Sequence, residues 1–339
     1  MKILFSSHAF YPSLGGLESV AMLLAEEFSA AGHEVVVVTQ TPCVVQEPDF
    51  PFRVLRRPKA RALLQLTARA DVVYHHNISL QTAWPLLLIR RPWVVSHHSW
   101  VPRGLNKLGV KGALKRSVLR RATGIAVSKA VAADHAMPCR VIPNPYDDKV
   151  FRLISGVVRD RDLVFVGRFV SDKGLPVLLN ALTLLAQYGL QPHLTVVGAG
   201  LEDQSWRQLV LDLGLADRVR FVGPKRGEEL AALLNAHRVL VVPSVWNEPF
   251  GVVALEGLAC GCIVVGSQGG GLSEAIGAAG LTFPNGDAQA LAECLETVLS
   301  DPQIVADCLK AAPAHLAVHR PIGVAQQYLA VLSQSTQAS

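Results

Sequence analysis

Two glutamates with seven residues between them, Glu248 and Glu256, sit in the stretch Pro243-Ser244-Val245-Trp246-Asn247-Glu248-Pro249-Phe250-Gly251-Val252 and its continuation to Gly257. If a helix begins around Gly251, Glu256 lies one to two turns inside it and Glu248 in the loop ahead. Both carboxylates can then reach one elongated ligand at the helix N-terminus. Carboxylates accept hydrogen bonds from pairs of hydroxyls, as on ribose or a sugar. Phosphate calls for cations and unpaired backbone amides instead. Such cations follow another apolar run, where Gly167-Arg168-Phe169 and Ser171-Asp172-Lys173-Gly174 place Arg168 and Lys173 five residues apart ahead of a helix. A guanidinium fork and a point charge suit a diphosphate, with a solvated surface pair as the plain alternative.

Weaker signals lie elsewhere. Pro12-Ser13-Leu14-Gly15-Gly16-Leu17-Glu18 separates an expected strand from a helix starting near Glu18, so glycine-freed amides can face an anion there; a simple strand-to-helix turn explains it as well. Val197-Gly198-Ala199-Gly200 lacks the third glycine of a dinucleotide fingerprint, since position 203 is Asp. His75-His76 and His97-His98 end successive apolar runs, where a histidine is more often a satisfied structural group than a catalytic one. The six cysteines (Cys43, Cys139, Cys260, Cys262, Cys294, Cys308) are scattered and show no paired metal-ligand spacing, and Cys260-Gly261-Cys262 lies in an apolar run without a histidine neighbour. No metal site is expected from them.

These residues are positioned by a βαβ rhythm. Short β-branched runs, Lys2 to Phe5, Val35 to Thr39, Val72 to Tyr74, Trp93 to Ser96 and Gly124 to Val127, recur in the second half as Leu163 to Val166, His193 to Val197, Val219 to Val222, Val239 to Val242 and Ile263 to Gly266. Runs without polar alternation are those of parallel sheets covered on both faces. The expectation is two Rossmann-like, doubly wound domains with ligands at the C-terminal strand ends and a cleft between them as the default site. The boundary is expected within Ile154 to Asp162, giving an N-terminal domain 1–155 and a C-terminal domain 156–319, with a last helix (about Ile322 to Ser333, within 320–339) returning to the first. No repeat of 20 to 50 residues is seen.

With 339 residues, 50% hydrophobic and 17% charged, the chain is globular, and disordered and collagen-like classes are excluded. The N-terminus lacks a signal-peptide apolar core, and the longest apolar run, Ala83 to Ile89, is far short of the roughly 20 residues of a membrane span, so a cytoplasmic protein is expected. The net charge of +5 is uneven: residues 1–155 carry 20 Lys+Arg against 10 Asp+Glu, and residues 156–339 carry 12 against 17. Arg103, Lys107, Lys111 and Lys115 recur every fourth residue, followed by Arg116, Arg120 and Arg121, so a helix there has a basic stripe beside Leu105, Leu108 and Leu114. An anionic membrane surface or acceptor and a solvated helix face are both open readings, with Arg53, Arg56, Arg57, Lys59 and Arg61 as a candidate extension. Nucleic acid is not expected, because no aromatics interleave with the charges.

The Gly15-Gly16-Leu17-Glu18 loop, Val127-Ser128, Ile142-Pro143-Asn144, Gly167-Arg168 through Lys173-Gly174, Glu248-x7-Glu256 and Gly269-Gly270-Gly271-Leu272-x-Glu274 occur in an order that resembles the retaining nucleotide-sugar glycosyltransferases of family 4 (group 1), along nearly the whole chain. The resemblance implies an α/β GT-B fold, with the two domains facing a central cleft, and a hexosyltransferase using a nucleoside diphosphate sugar, a UDP-sugar first, without metal or other cofactor. It implies Glu248 on hydroxyls of the transferred sugar and Glu256 on the ribose hydroxyls. Arg168 and Lys173 would hold the diphosphate, and Gly15, Gly16, Phe250, Gly251 and Val252 would border the donor. It also implies a histidine facing the sugar, His98 matching best and His97 competing. The expected acceptor is a lipid-linked glycan or surface polysaccharide at the inner membrane face, with a soluble small molecule, a GT-B epimerase and a non-catalytic nucleotide-sugar binder as alternatives. The sequence departs from the family at Asn144-Pro145-Tyr146-Asp147, which weakens the contact expected of Asn144; Asp147-Asp148 invites a metal reading that the metal-independent family does not support.

Overall fold

The computed structural model describes residues 1–13, 15–43, 47–100, 119–135 and 138–337. The chain divides into two compact units, Met1–Pro145 with Arg320–Ser339, and Tyr146–His319. In the first, β1 (Lys2–Ser7), β2 (Glu34–Thr39), β3 (Arg53–Arg56), β4 (Val72–His76), β5 (Trp93–His97), β6 (Thr123–Ala126) and β7 (Cys139–Val141) form a sheet in the order β3-β2-β1-β4-β5-β6-β7. In the second, β8 (Arg161–Val166), β9 (Leu194–Val197), β10 (Val219–Phe221), β11 (His237–Val242), β12 (Ile263–Ser267) and β13 (Gly280–Phe283) form a sheet in the order β10-β9-β8-β11-β12-β13. Every pairing is parallel. Each sheet therefore reverses its winding once, at β1/β4 and at β8/β11, where a doubly wound sheet opens a crevice at its C-terminal strand ends.

The interior strands β4, β5 and β12 are buried along their whole length, which is why they read as unbroken apolar runs. The three strands that the apolar runs of the sequence do not announce, β3, β7 and β13, all lie at sheet edges. β3 reads RVLR and β7 only CRV, charged and short as edges tend to be. Of the second basic group, Arg56 lies on β3, pairs with Glu47 and donates from Nη1 to the Thr41 carbonyl at 2.9 Å, while Arg57 donates to the Gln40 carbonyl. Arg56 thereby fastens an edge strand and its charge is met by Glu47, whereas Arg57 stays exposed.

Phe5 meets Tyr74 edge-on at 4.7 Å between ring centroids, and Tyr74 in turn meets Tyr328 at 5.8 Å. Tyr328 lies on helix Pro321–Gln337, so the chain's last helix completes the first unit's core. In the second unit Leu163, Phe165, Val239 and Val241 pack with Leu178, Leu182 and Trp206, each such burial contributing about 1.5–3 kcal/mol.

The division between units falls at Pro145/Tyr146, ten residues ahead of the expected 155/156. Residues 146–155 are held by the second unit: Phe151 is buried, the Asn235 side chain accepts from Ile154 N at 2.9 Å, and it donates to the Arg152 carbonyl at 2.9 Å. Among the described residues no helix is long and apolar enough to cross a membrane. Arg103, Lys107, Lys111 and Lys115 lie outside the described residues.

Candidate active site

Helices at the strand ends of interest begin on glycine. Gly15 precedes helix Gly16–Ala30, Gly174 precedes Leu175–Gln187 and Gly251 precedes Val252–Ala259, each without a side-chain cap. Elsewhere Ser128 caps helix Lys129–Asp134 and Asp301 caps Pro302–Ala317. A glycine N-cap brings no side chain to the first-turn amides, which favours an anion there. Val177 N and Ala254 N already donate to the carbonyls of Gly174 and Gly251, and Pro176 has no N–H, so the helix after Gly251, with the amides of Val252 and Val253 ahead of Ala254, is the better placed of these two.

In the second unit the loops after β8 and β11 lock together. Lys173 Nζ lies 2.6 Å from Glu248 Oε1, and Ser244 Oγ donates to the same oxygen at 2.8 Å; Oε2 takes neither contact. The pair is partly shielded, with 26% and 12% of the two side chains exposed, so water screens it less than an open surface pair. The loops can approach because Gly174 (φ +68°) lies against the Pro243 carbonyl, where a Cβ would stand 1.9 Å from the oxygen, and Val245 N donates to Asp172 O at 3.0 Å. Glu248 is pinned from the other side. Its carbonyl accepts from Gly271 N at 2.7 Å, and a Cβ on Gly270 would lie 2.2 Å from that oxygen. Asn285 takes the Gly269 amide at 2.8 Å and donates towards the Trp246 carbonyl at 3.3 Å, fixing the loop before Glu248.

The Gly198-Ala199-Gly200 turn has a packing explanation. A Cβ on Gly198 would stand 1.8 Å from the Gly167 carbonyl, and Phe169 N donates to Ala199 O at 2.9 Å. The turn thus supports the loop that carries Arg168, which is exposed.

Helix Val252–Ala259 begins where expected, with Gly251 at φ +104° and Glu256 just over one turn in. Part of Glu256 reaches water, yet protein surrounds its carboxyl closely enough that burial, with Asp147 adding repulsion, pushes it up to about 7. Asp147 is itself spoken for: Oδ1 accepts from Lys149 N and Val150 N at 3.1 and 3.2 Å, so this aspartate caps a turn. Phe250 turns its side chain inward, 3% exposed, with its ring 5.6 Å from that of His319, so a part for Phe250 in bordering the donor falls to its backbone.

Gly15, Gly16 and His98 belong to the first unit. At Gly15 a Cβ would meet Glu18 Oε2 at 2.6 Å, and Ser13 Oγ donates to Glu18 Oε1 at 3.4 Å, so a carboxylate of the same turn lies over Gly15. His98 follows β5 and is 8% exposed; Ser96 Oγ lies 2.8 Å from its Nε2, Asn77 Oδ1 accepts from its backbone amide at 2.8 Å, and the His76 ring lies tilted against it, 3.9 Å between centroids. Burial first, then the neighbouring His76 and His97, hold His98 well below the ordinary imidazole range, with Asn144 opposing; burial takes His76 down to about 3. His98 is thus a neutral ring in a buried network running through Ser96 to the Tyr74 hydroxyl. Asn144, buried at 6%, keeps a place beside it despite the altered sequence that follows.

Sequence reasoning missed Ser244, Asn285 and Asn77. The only signal for Ser244 is its place right after β11, four residues ahead of Glu248. Asn77 adopts φ +59°, a conformation asparagine tolerates better than most residues.

Residues 154–315 match the family model described as glycosyl transferases group 1, and residues 14–150 match that of glycosyltransferase family 4. A D-inositol 3-phosphate glycosyltransferase of Corynebacterium efficiens is 36% identical over 149 residues, which are 42% of this chain and 35% of the relative. One of Salinispora tropica is 42% identical over 123 residues, 34% of this chain and 25% of the relative. The chain thus spans about a third of the length of the curated relatives it matches. Among solved structures, Anabaena HepE in complex with UDP superposes with a TM-score of 0.83 at 22% identity, covering 98% of this chain and 100% of that one. A sucrose-phosphate synthase from Thermosynechococcus elongatus gives 0.78 at 24%, covering 100% of both. Likeness at these identities shows a shared fold.

Proposed function

The chain belongs to the glycosyltransferases of family 4 (group 1), and from that premise we propose that it moves a hexose from a UDP-sugar to an acceptor hydroxyl with retention at the anomeric carbon. The observation that carries this reading is the meeting of Lys173, Ser244 and Glu248 on one carboxylate oxygen, ahead of the glycine-led helix on which Glu256 stands.

Glu248 binds hydroxyls of the transferred sugar, and Glu256 those of the ribose. Arg168, Lys173 and the amides following Gly251 take the diphosphate. As the bond between the anomeric carbon and the leaving phosphate oxygen breaks, negative charge grows on that oxygen, and cations and preorganised amides stabilise it more than the ground state. The acceptor hydroxyl attacks the same face and passes its proton to the departing oxygen, so no protein nucleophile is needed. These groups supply the positive charge for the diphosphate, and the transfer we propose uses no metal there. His98 enters as a neutral imidazole, able to share a hydrogen bond but not to bring a charge.

For the acceptor, the basic N-terminal half favours an anionic, lipid-linked or surface glycan, with the protein working at the inner face of a membrane. A small phosphorylated polyol is the second reading, favoured by relatives named D-inositol 3-phosphate glycosyltransferase. UDP is preferred as the nucleotide because HepE was solved with UDP and with UDP-glucose.

A thermal-shift panel of UDP, GDP, ADP and dTDP with and without magnesium tests the donor assignment, since a ligand bound only by the folded state raises the melting temperature. The expected result is a shift selective for UDP, independent of magnesium and lost in Arg168→Ala/Lys173→Ala. No shift with any nucleotide, from folded protein, overturns it. Product formation from donor alone indicates an epimerase, and an inverted anomer in the product removes the same-face mechanism.

A further inference from the structure

Three side chains that the transfer reaction does not use converge in the first unit. His97 ends β5, His135 lies one residue beyond helix Lys129–Asp134, and Cys139 opens β7. One ligand atom from each, imidazole nitrogen or Sγ, lies within 4.8 Å of the other two. The two imidazoles lie with centroids 3.7 Å apart and their planes tilted by 43°, and His97 is 7% exposed. The backbone is arranged around the sulfur: Cys139 pairs in register with Gly124 on β6, where a Cβ would stand 2.7 Å from Sγ. Only glycine at 124 leaves the sulfur in its present position.

We infer that His97, His135 and Cys139 form a site for a zinc-like divalent cation. Two imidazoles and a thiolate are a borderline-soft donor set that favours zinc over magnesium or calcium, which prefer oxygen. Tetrahedral zinc, with Zn–N about 2.0–2.1 Å and Zn–S about 2.3 Å, sets ligand atoms about 3.3–3.6 Å apart, so a contraction of about 1 Å closes the triad. Three protein ligands leave the fourth position to water or an external donor. The ion would clamp the short edge strand β7 to the interior strand β5 across β6. None of the residues assigned to the diphosphate is among the three, so the site is separate from the metal-free transfer proposed above and neither proposal depends on the other.

The test uses tag-free, chelator-stripped full-length chain titrated with Zn²⁺ in competition with a chromogenic chelator, and with Co²⁺ followed by absorption. The expected result is one equivalent bound, a thiolate-to-cobalt charge-transfer band with the d–d spectrum of a four-coordinate ion, loss of that band in Cys139→Ser and at least tenfold weaker zinc binding in His135→Gln. Alkylation mapped by mass spectrometry gives a readout on the unaltered chain: zinc should protect Cys139 and none of the other five cysteines. Failure to bind one equivalent, a cobalt spectrum without the sulfur band, or protection of a different cysteine overturns the site.

Discussion

Replacing Glu256 by glutamine removes an ionisation that the folded second unit resists. Its carboxyl is raised from 4.5 to about 7, burial being the larger cause and Asp147 the smaller. The native state therefore holds this proton more tightly than the unfolded chain, and stability is lost as pH rises through that window. Linkage between the two values gives a penalty of about 1 kcal/mol at pH 5, about 2 at pH 6 and about 3 at pH 8, with almost none at pH 4. Glutamine keeps the shape and carries no charge, so Glu256→Gln is expected to stabilise the unit by up to about 3 kcal/mol at pH 8 and by no more than about 1 at pH 5. Because two units make a single global transition unsafe, the suitable assay is native-state hydrogen exchange on peptides spanning Arg161–Val166 and His237–Val242. The ratio of wild-type to variant exchange at each pH cancels the intrinsic rate. A gain independent of pH, or a variant less stable at pH 8, would refute the claim that Glu256 is a strained acid.

Other expectations follow from the same geometry. UDP-glucose, whose phosphates do not titrate near neutrality, should bind about tenfold more weakly at pH 6 than at pH 8 if the ribose needs Glu256 ionised, a difference calorimetry can resolve and Glu256→Gln should erase. Glu248→Gln should lower kcat/KM for transfer by about 10²–10³, the size of losing one preorganised transition-state contact, while UDP binding is kept or tightened because Lys173 is released; equal loss of both would contradict the role given to Glu248. Gly174→Ala should destabilise the second unit by about 3 kcal/mol, since alanine would be forced into a left-handed backbone with its Cβ on the Pro243 carbonyl, and unchanged hydrogen exchange there would show that the two loops do not bear on each other. Ser244→Ala should leave stability near wild type and raise KM for the donor several-fold, read from steady-state kinetics.

Interior strands were legible because burial on both faces makes them continuous apolar runs. β3, β7 and β13 were not, because an edge strand needs neither length nor that continuity. The Glu248–Glu256 spacing and the two cations were legible because each is set by local chain geometry at one helix start. That Lys173 and Ser244 share a single oxygen of Glu248 was not, since it depends on how closely two loops from different strands approach, and only a forbidden Cβ at Gly174 records that closeness. The reverse holds at Gly198 and Gly200, where a phosphate-like pattern marks backbone packing. His98 was legible as a strand-end histidine, whereas its neutrality arises from burial in the surrounding core first and from His76 and His97 second.

The return of helix Pro321–Gln337 to the first unit sets an order on biosynthesis. On a ribosome the sheet around β1 and β4 emerges early, but Tyr328 reaches Tyr74 only after residues 146–319 have been made. At about 5–20 residues per second that interval is roughly 10–35 s. Through it, the early-made sheet has its strands but not the helix that covers Tyr74, while the later-made unit already has every segment it needs to close. The half synthesised first is therefore the half finished last, and it is the part of a nascent chain that a chaperone would find open.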